Sequence, residues 1–369
     1  MHIAIIGCGQ LARMLALSGW PMGIRFSFLA EENEDTRCVD GLGTVVRHQP
    51  GNTPGAIYAA LGKPELITIE KEAVDVDLLR SLEEHCQVFP RPDNVHIVQH
   101  RARQKAFLQE NGIPTSPYMH IKHKQEVVEA AKSLGLPLVV KSCEDGYDGR
   151  QQWHLHDADE LESFVNGPEQ ISDAIAEKKL SFSKEVSIIL ARNVQGESVS
   201  YSPTQNTHAS GTLTLSIAPA QHLNEQQQQQ LNAIATKITD AFDYVGVIAV
   251  ECFVVDEQII VNELAPRVHN SGHWTQDGAA TSQFENHLRA IAGITLGSTE
   301  NLGHTAMLNL LGRTAPNSLS NHAHAHLHWY NKTLKSGRKM GHVNLQYLNY
   351  SQLESELLRL KMQNGEITS

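Results

Sequence analysis

Through the first hundred residues, short apolar runs alternate with stretches of helical periodicity. Ile3 to Ile6 is wholly apolar, the turn Gly7-Cys8-Gly9 follows, and Leu11, Met14 and Leu15 then share one helical face. Further strands are predicted over 24–29, ending at Glu31-Glu32, and over 66–69 and 88–89. Strands alternating with helices predict βαβ units and a parallel sheet.

Beyond residue 99 the pattern changes. A helix bearing Lys105, Phe107 and Leu108 leads to the turn Asn111-Gly112-Ile113-Pro114. A second helix is predicted at about 124–134, and a strand over 137–141. The polar stretch 144–150 (Glu144-Asp145-Gly146-Tyr147-Asp148-Gly149-Arg150) predicts a loop. Strands follow at 185–191, 198–203 and 212–217. The glutamine run 226–230 opens a helix, because Leu231, Ile234, Ile238 and Phe242 keep helical spacing after it. A hairpin joins 246–255 to 258–263, a helix covers 282–292, and short strands precede a last helix at 351–362.

The 369 residues suffice for two or three domains. A net charge of −11 speaks against a general nucleic-acid binder, which needs a basic surface. Five cysteines without a C-x-x-C pair indicate neither a disulfide framework nor a thiolate zinc site. The N-terminus has no signal-peptide pattern, and the longest apolar run, 245–255, is interrupted by Glu251 and too short for a bilayer. A cytoplasmic protein with no membrane partner is expected.

Two features carry candidate chemistry. Gly7-x-Gly9-x-x-Ala12, with Glu31 about twenty residues on, fits the looser dinucleotide fingerprint. It fits equally a tight β-α turn that binds nothing. Glu251 interrupts an apolar strand and Glu263 ends the returning one; a connection over 256–258 sets them opposite each other. Two ionised carboxylates side by side need a proton, a basic partner or a cation. With Asn262 adding an oxygen, the set suits Mg²⁺ bridging substrate phosphates. The competing reading is a register shifted by one, each glutamate facing solvent separately. The alternating His322, His324, His326 and His328 lack a neighbouring sulfur or carboxylate in sequence and read as a solvated strand face.

Val250-Glu-Cys-Phe253, then Val261-Asn-Glu-Leu-Ala-Pro-Arg-Val-His-Asn-Ser-Gly-His-Trp-Thr275, closely resembles the N5-carboxyaminoimidazole ribonucleotide synthetases. These are ATP-grasp enzymes, the ATPase subunit of phosphoribosylaminoimidazole carboxylase. Segments 7–14, 146–150, 184–189, 216–220, 326–332 and 337–344 match in the family's order.

The resemblance implies an α/β chain in three parts. A Rossmann-like parallel-sheet domain would span 1–100, an ATP-grasp domain 101–300 with a lid at about 110–180, and a small C-terminal domain 301–369. It implies ATP- and Mg²⁺-dependent carboxylation of 5-aminoimidazole ribonucleotide by bicarbonate, through carboxyphosphate, with Mn²⁺ as an alternative ion. Glu251 and Glu263 would hold metal. Arg101, Lys141, Glu177, Glu185, His208 and Asn262 would form the ATP site. Arg267, His269 and Asn270, with Glu70 or Glu72, would be catalytic around bicarbonate. Tyr147, Asp148, Arg150, Lys332, Arg338 and Lys339 would bind the ribonucleotide. A homodimer is implied, with the product passed to the N5-carboxyaminoimidazole ribonucleotide mutase.

The chain departs from the family pattern in two places. Asp145 and Gln151 stand where the phosphate loop has glycines, and Lys178-Lys179-Leu180 replaces an apolar stretch after Glu177. Three other readings stay open: a formate-using ATP-grasp transformylase, a nicotinamide oxidoreductase built on Gly7 and Gly9, and a non-catalytic nucleotide-binding homologue.

Overall fold

The early apolar runs form a five-stranded parallel sheet in a computed structural model that describes residues 1–144, 151–168, 171–320 and 322–364. Its strands are β1 (His2–Ile6), β2 (Arg25–Ala30), β3 (Thr44–Arg47), β4 (Leu66–Ile69) and β5 (Gln87–Phe89), in the order β3-β2-β1-β4-β5. Helices cover both faces, which is why Ile3, Ile5 and Ile67 are fully buried and the central strands read as unbroken apolar runs. The edge strand β3 offers two half-buried valines, too weak a pattern to predict.

A smaller antiparallel sheet holds β6 (Tyr118–Ile121), β7 (Leu138–Ser142), β8 (Gln152–Leu155) and β9 (Ala174–Lys178), ordered β6-β9-β7-β8. Val127 and Ala130 of the helix Glu126–Leu134, and Phe164 of the helix Ala158–Asn166, pack with Leu138 and Val140.

The third sheet, nine-stranded among the described residues, contains β10 (Lys184–Arg192), β11 (Ser198–Ser200), β12 (Thr204–Ala209), β13 (Thr212–Ala218), β14 (Gly246–Val255), β15 (Gln258–Ala265), β16 (His304–Leu311), β17 (Ala325–Trp329) and β18 (Lys339–Tyr347). The order is β15-β14-β10-β12-β13-β16-β18-β17, with β11 on β10. The last three strands therefore extend the large sheet through β13–β16 pairing. The glutamine run begins the helix Glu225–Ala241, closed at its start by a reciprocal cap between Asn224 and Gln227. Leu231, Ala235 and Ile238 bury its inner face.

On the other face lies the helix Gln283–Ile291, sandwiched against the helix Gln10–Gly19. Its fully buried His287 bonds Thr68 Oγ1 of β4 at 2.8 Å and accepts from Val247 N–H of β14 at 3.0 Å. One side chain thus joins the parallel sheet to the large one. No helix among the described residues is long and apolar enough to cross a membrane.

Candidate active site

Glu251 and Glu263 are opposite each other on β14 and β15. The connection differs from the sequence expectation. The turn is the two-residue Asp256-Glu257 (φ 45° and 68°), with Val255 opposite Gln258. Counted straight back, that register would face Glu251 with Asn262. An irregularity between Glu251 and Cys252 adds the missing residue and restores the carboxylate pair, the usual work of a β-bulge beside a site.

The two carboxylates are not equivalent. Burial alone would raise Glu251, but the hydrogen bond from His269 Nε2 (3.0 Å to Oε1) and the charges of His269, His208 and Lys339 hold it near about 2. Glu263 is pushed upward by burial and by the Glu251 charge, against the pull of Arg101 and Lys141. Its side chain still has 41% of its surface accessible, so the pair opens to solvent through Glu263. A raised carboxylate beside an ionised one, with Asn262 next to Glu263 on β15, is a donor set that a divalent cation fits.

Cations flank the pair. Arg101 Nη2 lies 3.7 Å from Glu263 Oε2, and its Nη1 donates to Ser142 O at 3.0 Å. Lys141, near the end of β7, reaches Glu177 Oε2 at 2.6 Å and Asn262 Oδ1 at 3.4 Å. Glu177, 3% exposed on β9, is held near about 2: burial would raise it, but Lys105 and Lys141 prevail. Lys105, which the sequence pattern places only on a helix, follows Arg101 by one turn and joins this cluster. It is 2% exposed, and its Nζ lies 2.7 Å from Glu177 Oε1 and donates to Thr115 Oγ1 (2.7 Å) and Asn262 O (2.9 Å). Glu185 and His208, on paired β10 and β12, hydrogen-bond each other. Burial lowers the His208 pKa, yet Glu185 and the carboxylate pair raise it on balance.

Beyond Glu251, Arg267 Nη2 pairs with Glu72 Oε1 at 2.7 Å. Both side-chain polar atoms of Asn270 are buried with no hydrogen-bond partner among the described residues. His269 Nδ1 accepts from Ser271 Oγ (3.0 Å) and Ser271 N–H (3.3 Å). Ser271 Oγ accepts from Ser187 Oγ at 2.7 Å, Ser187 from Asn206 Nδ2 at 3.0 Å, and Asn206 Oδ1 from Ser216 Oγ at 2.8 Å. The network leaves Nε2 as the ring nitrogen that carries the proton toward Glu251. Sequence spacing held no sign of this chain, because its members come from three strands and a turn that meet in space.

Glu70 and Glu72 have different partners. Glu70 is buried below the glycine turn, accepts from Gly9 N–H at 3.1 Å, and a Cβ on Gly7 or Gly9 would fall within 2.7 Å of its side chain. Burial and the Glu34 charge raise its pKa. Glu34 takes the Cys8 N–H at 2.7 Å. The amides that would cradle a dinucleotide phosphate are thus bonded to the protein's own carboxylates, which argues against the oxidoreductase reading.

Lys332 bonds Gln10 Oε1 and is lowered by burial against the pull of Glu70. Arg338 Nη2 lies 3.2 Å from Asp35 Oδ2, and Lys339 begins β18. Lys332 thus reaches the first residue of the helix that follows the glycine turn, while Arg338 pairs with Asp35 on the loop after β2. Tyr147, Asp148 and Arg150, like Asp145, lie outside the described residues. Gln151 is described, at φ 51°, the left-handed region that favours glycine. Lys178 and Lys179 point to Leu134 O (2.8 Å) and His156 (3.0 Å), within the small sheet's surroundings. Of the alternating histidines, His324 and His326 are exposed as expected, while His322 and His328 are half-buried. His328 Nε2 is 2.7 Å from Asp277 Oδ2, and its ring stacks on His342, a carboxylate neighbour that sequence distance concealed.

A small antiparallel sheet presenting lysine and glutamate to a carboxylate pair on a larger sheet defines the ATP-grasp class, and the family model described as ATP-grasp domain matches residues 106–284. Models described as Ribonucleotide synthetase preATP-grasp domain and Phosphoribosylaminoimidazole carboxylase C-terminal domain match residues 1–99 and 305–356. The chain belongs to the N5-carboxyaminoimidazole ribonucleotide synthase family. It is 38% identical to the Vibrio vulnificus (strain YJ016) N5-carboxyaminoimidazole ribonucleotide synthase over 353 residues, 94% of this chain and 90% of that one. With the Escherichia coli protein of the same name the identity is 36% over 357 residues, 96% and 93% of the two chains. The crystal structure of the Thermus thermophilus synthetase superposes with a TM-score of 0.91 at 38% identity, covering 100% of this chain and 99% of that one. The Aspergillus clavatus synthase, in complex with ADP and 5-aminoimidazole ribonucleotide, gives 0.87 at 27% identity, covering 97% of both. These likenesses do not favour the formate-using alternative.

Proposed function

We propose that this chain is a ligase that uses ATP to join bicarbonate to the amino group of 5-aminoimidazole ribonucleotide, giving N5-carboxyaminoimidazole ribonucleotide, ADP and phosphate in purine biosynthesis. The observation that carries the site reading is the carboxylate pair, flanked by Arg101 and Lys141 on one side and by His269 on the other. Phosphoryl transfer needs positioning and charge neutralisation more than covalent help from the protein.

In this reading Glu251 and Glu263 hold Mg²⁺ (or Mn²⁺), which supplies charge neutralisation at the phosphates when bound. Arg101 and Lys141 face the phosphates, while Glu177, Glu185, His208 and Asn262 complete the ATP site. Lys105 fixes Glu177 from behind. Arg267, His269 and Asn270 hold the bicarbonate-derived group, and the orphaned Asn270 amide is a ready partner for its oxygens. Glu72 orients Arg267, and Glu70 faces the ribonucleotide pocket. Lys332, Arg338 and Lys339 receive the 5′-phosphate, with Tyr147, Asp148 and Arg150 assigned by family resemblance.

The segments 1–100, 101–300 and 301–369 act as preATP-grasp, ATP-grasp and closing parts, with a lid at about 110–180 that excludes water from carboxyphosphate. We take the chain to act as a cytoplasmic homodimer whose product goes to the mutase.

ADP release with ATP, Mg²⁺, bicarbonate and 5-aminoimidazole ribonucleotide tests the reading. Turnover stimulated by the ribonucleotide is expected, and Glu263→Gln should lower it at least about a hundredfold. No ribonucleotide stimulation in the wild type sinks the activity, and a fully active Glu263→Gln sinks the metal assignment.

A further inference from the structure

Next to Arg101, four separate segments bring metal-binding side chains together. His100 caps the helix Arg101–Glu110, His120 lies on β6, Cys143 follows β7 and Asp173 precedes β9. Each offers one ligand atom, and the four atoms lie within 4.8 Å of one another. The Asp173 carboxylate bonds His100 Nε2 at 3.1 Å and His120 Nε2 at 2.6 Å, one oxygen to each ring. The Cys143 thiol also bonds it. We propose that His100, His120, Cys143 and Asp173 form a site for zinc or a similar borderline divalent cation, separate from the carboxylate pair.

The donor set decides the metal class. Two imidazole nitrogens, one thiolate and one carboxylate are the ligands of a tetrahedral zinc site, whereas Mg²⁺ and Ca²⁺ want oxygens throughout. Three proton-bearing groups converging on one carboxylate resemble such a site with protons in the metal's place. On binding, the Cys143 proton leaves to solvent and each ring proton moves from Nε2 to Nδ1. Burial pushes the thiol up to about 12, so without metal it keeps that proton.

Two local contacts must give way. Arg103 N–H donates to His100 Nδ1 at 3.3 Å, a long bond that protonation of Nδ1 would break. Lys122 Nζ, 3.5 Å from Asp173, sits on a side chain 58% exposed and can swing into solvent. The ion would tie three corners of the small sheet to the helix bearing Arg101 and Lys105, restraining the base of the lid.

The test is a Co²⁺ titration of the full chain, stripped by chelator, without nucleotide or Mg²⁺. A sulfur-to-cobalt charge-transfer absorption that saturates at one equivalent and is displaced by Zn²⁺ is expected. Neither the carboxylate pair nor surface histidines can produce that band, because they offer no thiolate. Cys143→Ser should abolish it. His120→Ala, at a position with 35% of its side chain exposed, should fold normally and weaken Co²⁺ binding at least about tenfold. Absence of the sulfur band, its survival in Cys143→Ser, or unchanged affinity in His120→Ala each overturns the site.

Discussion

Glu177 holds two lysines at once, with Lys105 and Lys141 at 2.7 and 2.6 Å, all three groups nearly buried. Removing the acid would leave two cations without their shared counter-charge, a change that costs about 3–5 kcal/mol in comparable buried pairs. Glu177→Gln should therefore lower the melting temperature clearly, while Lys105→Met should be better tolerated because Lys141 still faces Glu177. The folded pKa near about 2, against 4.5, also sets a pH window. A depressed carboxylate stabilises above the unfolded value and loses that contribution as pH falls from about 4.5 toward 2. Acid melting of wild type and Glu177→Gln should converge at the bottom of that window; parallel curves would refute the assignment. At His269, Ser271→Ala removes the shorter of the two hydrogen bonds to Nδ1 and the link to Ser187, leaving only the long bond from the Ser271 N–H. The expected result is a lower kcat with an altered pH profile and little change in the KM for ATP. Unaltered kcat would mean the serine chain is packing alone.

Among the elements, the hairpin was the most legible in sequence and the polar strand β12 the least. A carboxylate interrupting an apolar strand is visible from alternation, so Glu251 and Glu263 could be paired from the amino-acid pattern alone. The bulge that aligns them could not be seen, since alternation reports which face a residue takes and not how many residues intervene. Likewise β12 carries no apolar alternation, because its polar residues Asn206 and His208 are satisfied by Ser187 and Glu185 of β10 and by Ser216 of β13. The residue that leads into β8 yields an element-scale prediction. Gln151 adopts φ 51° where the family pattern has glycine. A side chain in that region costs about 1 kcal/mol or more, and glycine has no such penalty. Gln151→Gly should keep or improve the apparent affinity for ATP, measured as KM in the ADP-release assay. A severalfold rise in KM would show that the glutamine side chain has a role of its own.

At the scale of the whole molecule, buried neutral histidines hold its parts together. Burial lowers His287 to about 4 at the junction of the parallel and large sheets, and burial and nearby cations hold His342 of β18 and the adjacent His273 well below 6.5. An unfolded chain takes up protons between 6.5 and 4 that these rings refuse, so stability must fall as pH drops through that interval. Thermal melting at a series of pH values should show this slope, and His287→Gln should flatten it. A melting temperature constant over that interval would contradict the buried-histidine account.

The continuation of the large sheet through β16, β18 and β17 means that the last seventy or so residues are not a removable module. Mechanically this segment is the far edge of a beam already begun by β10 and β14. A chain cut near residue 300 would leave β13 with a row of open amides and carbonyls beside uncovered Leu215 and Ile217. Such a fragment should associate edge to edge in solution, and a graft of this C-terminal segment onto another synthetase would succeed only if the donor strand register at β13 were grafted with it.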